Sequence, residues 1–167
     1  LFPYTTLFRS HEEVPVYERL GDVRLKAITQ GKIADILFAR RDFDTALAQH
    51  AERLPVAKRL RDLESIAHIR FSMAQIRVSR GDLQSGSAQT IFEELAEAFA
   101  ISVHLGRPDA IAASGILLAH ILAAANYCDE ARSVLDRAEA GFAKIGQVAY
   151  LDDIRQLRES LDAAAAG

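Results

Sequence analysis

Apolar residues recur at intervals of three and four along most of this chain, which is the spacing of one face of an α-helix. Alternating apolar and polar residues, the pattern of a half-buried strand, are rare. The stretches that the helical spacing predicts are 23–39, 43–60, 63–79, 83 to about 104, 110–124, 128–144 and 147–162. The sequence therefore predicts an all-α protein.

Helix boundaries are marked by aspartate, glycine and proline. Asp22 and Asp42 each precede a helical stretch, where a carboxylate can accept hydrogen bonds from free backbone N–H groups. Asp82, after Gly81, is expected to start the helix over residues 83–104 in the same way. Pro55 falls inside the second helix and removes one backbone hydrogen bond, so we expect a kink near Glu52 or a short break there.

The chain also repeats itself at a spacing of 40 residues. Residues 12–51 aligned with residues 52–91 give 13 identities. The pattern returns after Leu105, in the pairs Ala27/Ala112, Ala34/Ala119, Ile36/Ile121 and Ala46/Ala131. A period of this length is typical of stacked supersecondary units, which offer an extended binding surface and not a single reaction pocket.

The first ten residues, LFPYTTLFRS, look like the in-frame translation of a common sequencing-library adapter. We interpret them as a non-native segment and leave them out of fold reasoning. The expected organisation is then a helical repeat domain over residues 11–162 and a tail over 163–167. Its parts are a truncated helix at 11–20, repeats at about 22–60, 62–105 and 108–145, and a capping helix at 147–162. We expect the chain to be a fragment of a longer bacterial protein.

Composition and charge narrow the class of protein. Half of the residues are apolar, a quarter are charged, and 9 Gly and 4 Pro are too few for a disordered chain. The single cysteine, Cys128, excludes an internal disulfide and favours a reducing, cytoplasmic location. Residues 19–80 hold 13 Lys/Arg against 7 Asp/Glu, whereas residues 81–167 hold 6 against 13. The basic residues are not clustered with exposed aromatics, so we do not predict nucleic acid as a partner. No run approaches the ~20 apolar residues that a membrane span needs, so we do not predict a membrane partner either.

The three units resemble tetratricopeptide repeats, in which two antiparallel helices touch through small residues. The turn before the second helix reads Arg41-Asp42-Phe43-Asp44-Thr45-Ala46, then Gly81-Asp82-Leu83-Gln84-Ser85-Gly86, then Asn126-Tyr127-Cys128-Asp129-Glu130-Ala131. The small residue of the first helix is Ala34, Ala74 or Ala119. The usual aromatic early in the first helix is absent, with Gln30, Arg70 and Gly115 in its place. The resemblance covers residues 12–162 and implies a right-handed α-solenoid of antiparallel hairpins, in a long variant of about 40 residues per repeat.

The same resemblance implies a concave groove, lined by the first helices, that holds a partner peptide or helix. The groove candidates carried over by register are Asp35, Phe38, His68, Phe71, Gln75, Val78 and His120, together with Ile28, Ile116 and Ala123. The alternative for Phe38, Phe71 and Ile116 is ordinary core packing between neighbouring helices.

The sequence offers little for catalysis. The five histidines have no metal-ligand spacing such as HExxH, Cys128 has no cysteine partner, and no glycine spacing matches a phosphate-binding loop. We therefore predict no enzyme, no metal and no cofactor. The leading hypothesis is a protein-interaction scaffold, with other domains of the parent chain as further partners. The alternative is a regulatory or sensor arm of a larger bacterial signalling ATPase or transcription regulator.

Overall fold

The computed structural model of the protein describes residues 3–147 and 150–165, and these residues are almost entirely helical. The α-helices in them are α1 (Pro3–Leu20), α2 (Val23–Ala39), α3 (Phe43–Leu60), α4 (Leu63–Arg80), α5 (Ala88–Leu105), α6 (Pro108–Ala124), α7 (Cys128–Ile145) and α8 (Tyr150–Ala165). A short 3-10 helix, Asp82–Ser85, lies between α4 and α5. No strand occurs in the described ranges, so the prediction of an all-α fold is confirmed.

The chain divides into two compact units, residues 1–88 and 89–167. The first unit holds α1 to α4, and α5 belongs to the second unit with α6 to α8. Within the first unit α1 packs on α2, α2 on α3 and α3 on α4, and within the second unit α6 packs on α7 and α7 on α8. Turns of two or three residues join α1 to α2, α2 to α3, α3 to α4 and α6 to α7, so each of these pairs is an antiparallel hairpin.

Three aspartates set the starts of α2, α3 and α4 in the same way. Asp22, Asp42 and Asp62 each accept a hydrogen bond from the backbone N–H three residues later, at 2.9, 3.4 and 3.0 Å. The residues before two of these caps, Arg41 and Arg61, have φ values of 64° and 54°, in the left-handed region that glycine normally occupies. The tight turns between the helices hold both arginines in this conformation.

The prediction of one helix over residues 83–104 is wrong at its start. Asp82 does not cap a helix, because Arg80 donates to both of its carboxylate oxygens, at 2.9 and 2.7 Å. The chain instead forms the 3-10 turn, passes through Gly86 at φ 85°, and begins α5 at Ala88. The cap aspartate is present in the sequence but its carboxylate is already bound by the side chain two residues earlier.

Helix α3 continues through Pro55 from Phe43 to Leu60, so the short break allowed by the sequence does not occur. Proline has no backbone N–H, so Pro55 cannot donate to the carbonyl of Ala51 four residues earlier. Both residues are exposed to solvent. Water can therefore replace the missing hydrogen bond.

The helix α1 extends from Pro3 to Leu20 and is longer than the truncated helix expected at 11–20. A helical backbone is compatible with a native or a foreign origin of residues 1–10. The interpretation of that segment as adapter-derived stays a prediction.

The small residues of the repeat lie at the helix contacts, as predicted. Ala34, Ala74 and Ala119 are fully buried, at 0% exposure. Each is preceded by a buried large residue, respectively Ile33, Met73 and Leu118. In the second unit Gly141 of α7 lies close against α6, since an added Cβ there would be 2.6 Å from the backbone oxygen of Pro108.

The last helix, α8, packs on α7 through an apolar stripe with ion pairs beside it. Ile154, Leu157 and Leu161 are buried. Arg158 donates to Asp136 and Glu139 of α7 at 2.7 and 2.8 Å, and Arg132 of α7 reaches Asp162 at 2.8 Å. Val148, which the sequence also assigns to this stripe, lies outside the described residues. None of the described helices is both long and apolar enough to span a membrane.

Candidate functional site

The candidate groove residues of the first unit belong to α2 and α4, and we call this set the first-helix face (Ile28, Asp35, Phe38, His68, Phe71, Gln75 and Val78). Asp35 and His68 are exposed, and Ile28 has 45% of its surface accessible. Phe71, Gln75 and Val78 are half-buried. The face thus presents both apolar area and polar groups.

Phe38 is only partly available on this face. Its ring centroid lies 5.9 Å from that of Phe43, and both rings pack against the buried cluster that includes Ile33 and Ala46. Much of the Phe38 ring is therefore covered by the protein itself, which favours the core alternative for this residue.

The remaining candidates belong to the second unit and are described within it. His120 is exposed on α6, while Ile116 and Ala123 are half-buried. Gly115, at the place of the missing aromatic, is in contact with two neighbours. A Cβ built on it would meet the Phe99 ring of α5 and the Ala138 Cβ of α7, each at 3.0 Å. The aromatic ring at this position is supplied by the preceding helix.

Beneath the first-helix face lies a polar cluster that the sequence reading missed. The rings of His50 on α3 and His68 on α4 meet edge to face, with centroids 6.4 Å apart. His50 is 1% exposed, and burial, followed by the positive charge of Arg53, lowers its pKa to about 3. Histidine 50 is therefore neutral at physiological pH.

Arg53 of α3 is the second member of this cluster. It is 7% exposed, and its Nη1 lies 3.1 Å from Nδ1 of His50. Because a guanidinium can only donate, Nδ1 must accept, and the proton of His50 is on Nε2. Burial lowers the pKa of Arg53, and the nearby carboxylate of Asp35 opposes that shift.

Gly31 of α2 makes room for this guanidinium. A Cβ built on Gly31 would lie 2.7 Å from Cζ and from Nη2 of Arg53. A glycine in the middle of a helix lowers helix stability by about 1 kcal/mol relative to alanine. Its presence therefore indicates that packing or function requires a residue without a side chain at that position. The mid-helix position of Gly31 was visible in the sequence, but its contact with Arg53 on the next helix was not.

Arg53 also lines a cavity of about 180 Å³ between α2, α3 and α4, which we call the Arg53 cavity. Arg24 and Ile28 of α2 and Glu64, Ser65 and Ile69 of α4 form much of its wall. Ile28 thus belongs both to the first-helix face and to the cavity. Drug-sized ligands occupy pockets of roughly 300–1,000 Å³, so this one suits a single side chain or small group.

In the described part of the chain, no group of three or more His, Cys, Asp or Glu side chains is arranged to hold a metal ion. Cys128 is half-buried and carries a free thiol.

Comparison with known proteins gives a likeness of fold. No family model matches the sequence, and no curated protein matches it. Among solved structures, the chain is similar to a Rap protein complexed with competence and sporulation factor, with a TM-score of 0.76 and 20% sequence identity. The match covers 94% of this chain and 42% of the Rap chain.

That likeness confirms the TPR-like helical-repeat fold, and at 20% identity it shows the fold alone. The chain spans less than half the length of the solved protein. The assignment of the first-helix face as a binding groove stays a prediction.

Proposed function

We propose that this chain is a protein-interaction scaffold that binds a peptide or helix of a partner on the first helices of its hairpins. The observation that carries the proposal is the composition of the first-helix face. Apolar area at Ile28, Phe71 and Val78 lies beside the polar groups of His68 and Gln75. Apolar side chains would supply affinity, and the polar groups would fix the register of the bound segment.

The Rap likeness supports the proposal at the level of the fold. The solved Rap structure is a complex with competence and sporulation factor. A repeat stack of this kind can therefore present a surface to another molecule.

The test is recovery of a partner that co-purifies with the intact protein from its source cells. We expect Phe71→Ala to lower recovery roughly tenfold or more, because truncating an aromatic anchor at an interface costs about 2 kcal/mol. His120→Ala is expected to lower it less. Lys58→Ala, an exposed position on α3, is the matched control and should leave recovery unchanged.

Circular dichroism must show that each variant keeps its helix content. Unchanged recovery by both Phe71→Ala and His120→Ala would contradict the assignment of the first helices as the binding surface.

A further inference from the structure

Arg53 carries a positive charge in a place where an unpaired charge is costly. Arginine is almost never fully buried unless it is paired. In the described parts of the chain, no carboxylate oxygen lies within 4.0 Å of its guanidinium nitrogens. Its Nε is fully buried and has no hydrogen-bond partner. The guanidinium is therefore largely desolvated, and the protein satisfies only part of its hydrogen-bonding capacity.

The guanidinium of Arg53 donates through Nη1 to His50, and its Nε has no hydrogen-bond partner. Nη1 donates to His50, which cannot become a competing cation because its pKa is lowered to about 3. The remaining edge carries Nε–H and Nη2–H, two parallel donors that match the two oxygens of a carboxylate. Gly31 permits this placement, since any Cβ there would overlap the guanidinium.

The surrounding charges favour a singly charged anion. Arg24 adds a second cation to the cavity wall. Asp62 also lines it, but its carboxylate is bound to the N–H and hydroxyl of Ser65 at 3.0 and 2.8 Å. Glu64 on the wall and Asp35 beside Arg53 are the other acids, and they would repel a dianion such as phosphate more than a carboxylate.

We propose that the Arg53 cavity binds the carboxylate of a peptide through the guanidinium of Arg53. The proposal deepens the proposed function, on which it rests, by naming the chemistry of the partner segment. Ile28 joins the cavity to the first-helix face, so a peptide lying on that face could place an acidic group in the cavity.

The experiment uses the full chain, labelled with ¹⁵N, and follows the Arg53 Nε–Hε resonance and the backbone amides of Ile28 and Ile69 by NMR. The probes are Ac-Ala-Glu-Ala-NH₂, its neutral match Ac-Ala-Gln-Ala-NH₂, Ac-Ala-Ala-Ala with a free C-terminus, and inorganic phosphate. We expect saturable shifts with one or both carboxylate peptides and none with the glutamine peptide. The two carboxylate peptides distinguish a side-chain from a C-terminal source.

Arg53→Gln is expected to weaken carboxylate binding at least about tenfold, as loss of a charge-assisted hydrogen bond implies. Arg59→Gln, an exposed arginine on the same helix, is the matched control and should bind normally. Gly31→Ala keeps the charge but displaces the guanidinium, and it should also weaken binding. It therefore tests the site even if Arg53→Gln fails to fold.

Any of these results with the peptides would overturn the proposal: equal shifts with the glutamine peptide, normal binding by both Arg53→Gln and Gly31→Ala, or binding that appears only after Asp35→Asn. The last would mean that Asp35 already occupies Arg53 in solution. Shifts with phosphate alone would overturn it as well. Because these probes are free peptides, their failure leaves partner recovery through Phe71 intact, and loss of partner recovery leaves carboxylate binding intact.

Discussion

The first and third hairpins share one plan but fill the same place between their helices differently. In the third hairpin that place holds Gly115 and Ala138, and a Cβ on Gly115 would be only 3.0 Å from that of Ala138. In the first hairpin the repeat puts Gln30 and Arg53 at the matching positions, and both are buried. Small residues let the helix backbones approach closely, whereas the first hairpin buries two polar side chains, of which Gln30 donates to Glu52 and Arg53 lines the cavity.

The two regions also differ in their charged residues. Residues 19–80 are rich in Lys and Arg, and residues 81–167 are rich in Asp and Glu. In the second unit the arginines Arg132 and Arg158 are bound to carboxylates of the neighbouring helix. In the first unit Arg53 is buried without such a carboxylate. The two units therefore differ in how their arginines are paired: across helices with carboxylates in the second unit, and with His50 at Arg53 in the first.

The largest expected effect tests what the two hairpins share. Ala34→Leu and Ala119→Leu should each lower the free energy of unfolding by about 3 kcal/mol or more, because each forces a larger side chain into a fully packed contact. Chemical denaturation measures this. The exposed Ala39→Leu on α2 is the control and should change little. A tolerant Ala119→Leu would show that the third hairpin does not depend on close approach at this position.

The next prediction concerns pH and applies to the first unit. The pKa of His50 is about 3 in the folded protein and about 6.5 in an unfolded chain, so the unfolded state binds more protons between these values. Stability from neutral His50 is present above pH 6.5 and is lost as the pH falls toward 3. The loss at pH 4 is roughly 2–3 kcal/mol, and His50→Gln should remove it.

The measurement is urea denaturation of the wild type and His50→Gln between pH 7 and pH 4. Gln keeps an acceptor for Arg53 but does not titrate in this range. Parallel pH profiles for the two proteins would contradict the burial of a neutral His50.

The smallest effect compares the two close glycines directly. Gly141→Ala should be more destabilising than Gly31→Ala by about 1–2 kcal/mol, because overpacking against a fixed group costs more. A Cβ at Gly141 meets the backbone oxygen of Pro108, whereas at Gly31 it meets the end of the flexible Arg53 side chain. At Gly31 the better helix propensity of alanine offsets much of the cost. Thermal or urea denaturation of the two variants measures the loss of unfolding free energy. Equal losses would mean that the Arg53 side chain yields no more easily than the backbone at Pro108.

Local signals in the sequence were sufficient for most of the fold. Asp22 and Asp42 cap the helices they precede, and the matched alanines are buried as the repeat required. The prediction at Asp82 failed because two kinds of donor compete for its carboxylate. Arg80, two residues earlier, donates to both oxygens in place of the backbone N–H groups of a helix. Sequence spacing does not show that competition.

The candidate site was less predictable. Register placed His68 and Asp35 on an exposed surface, but it could not show that Phe38 packs on Phe43. Arg53 was missed because its importance depends on contacts with Gly31 and His50, which arise only when α2 and α3 pair. A lone mid-helix glycine was the available hint.

The regular placement of Asp22, Asp42 and Asp62 bears on how such a chain can grow. Helices α2, α3 and α4 each begin at an aspartate that caps the backbone N–H three residues later, so a duplicated block of 20 or 40 residues from this region contains its own helix-start signals. Unequal recombination between copies would then yield longer or shorter arrays whose joints fold at once, without new boundary signals having to evolve.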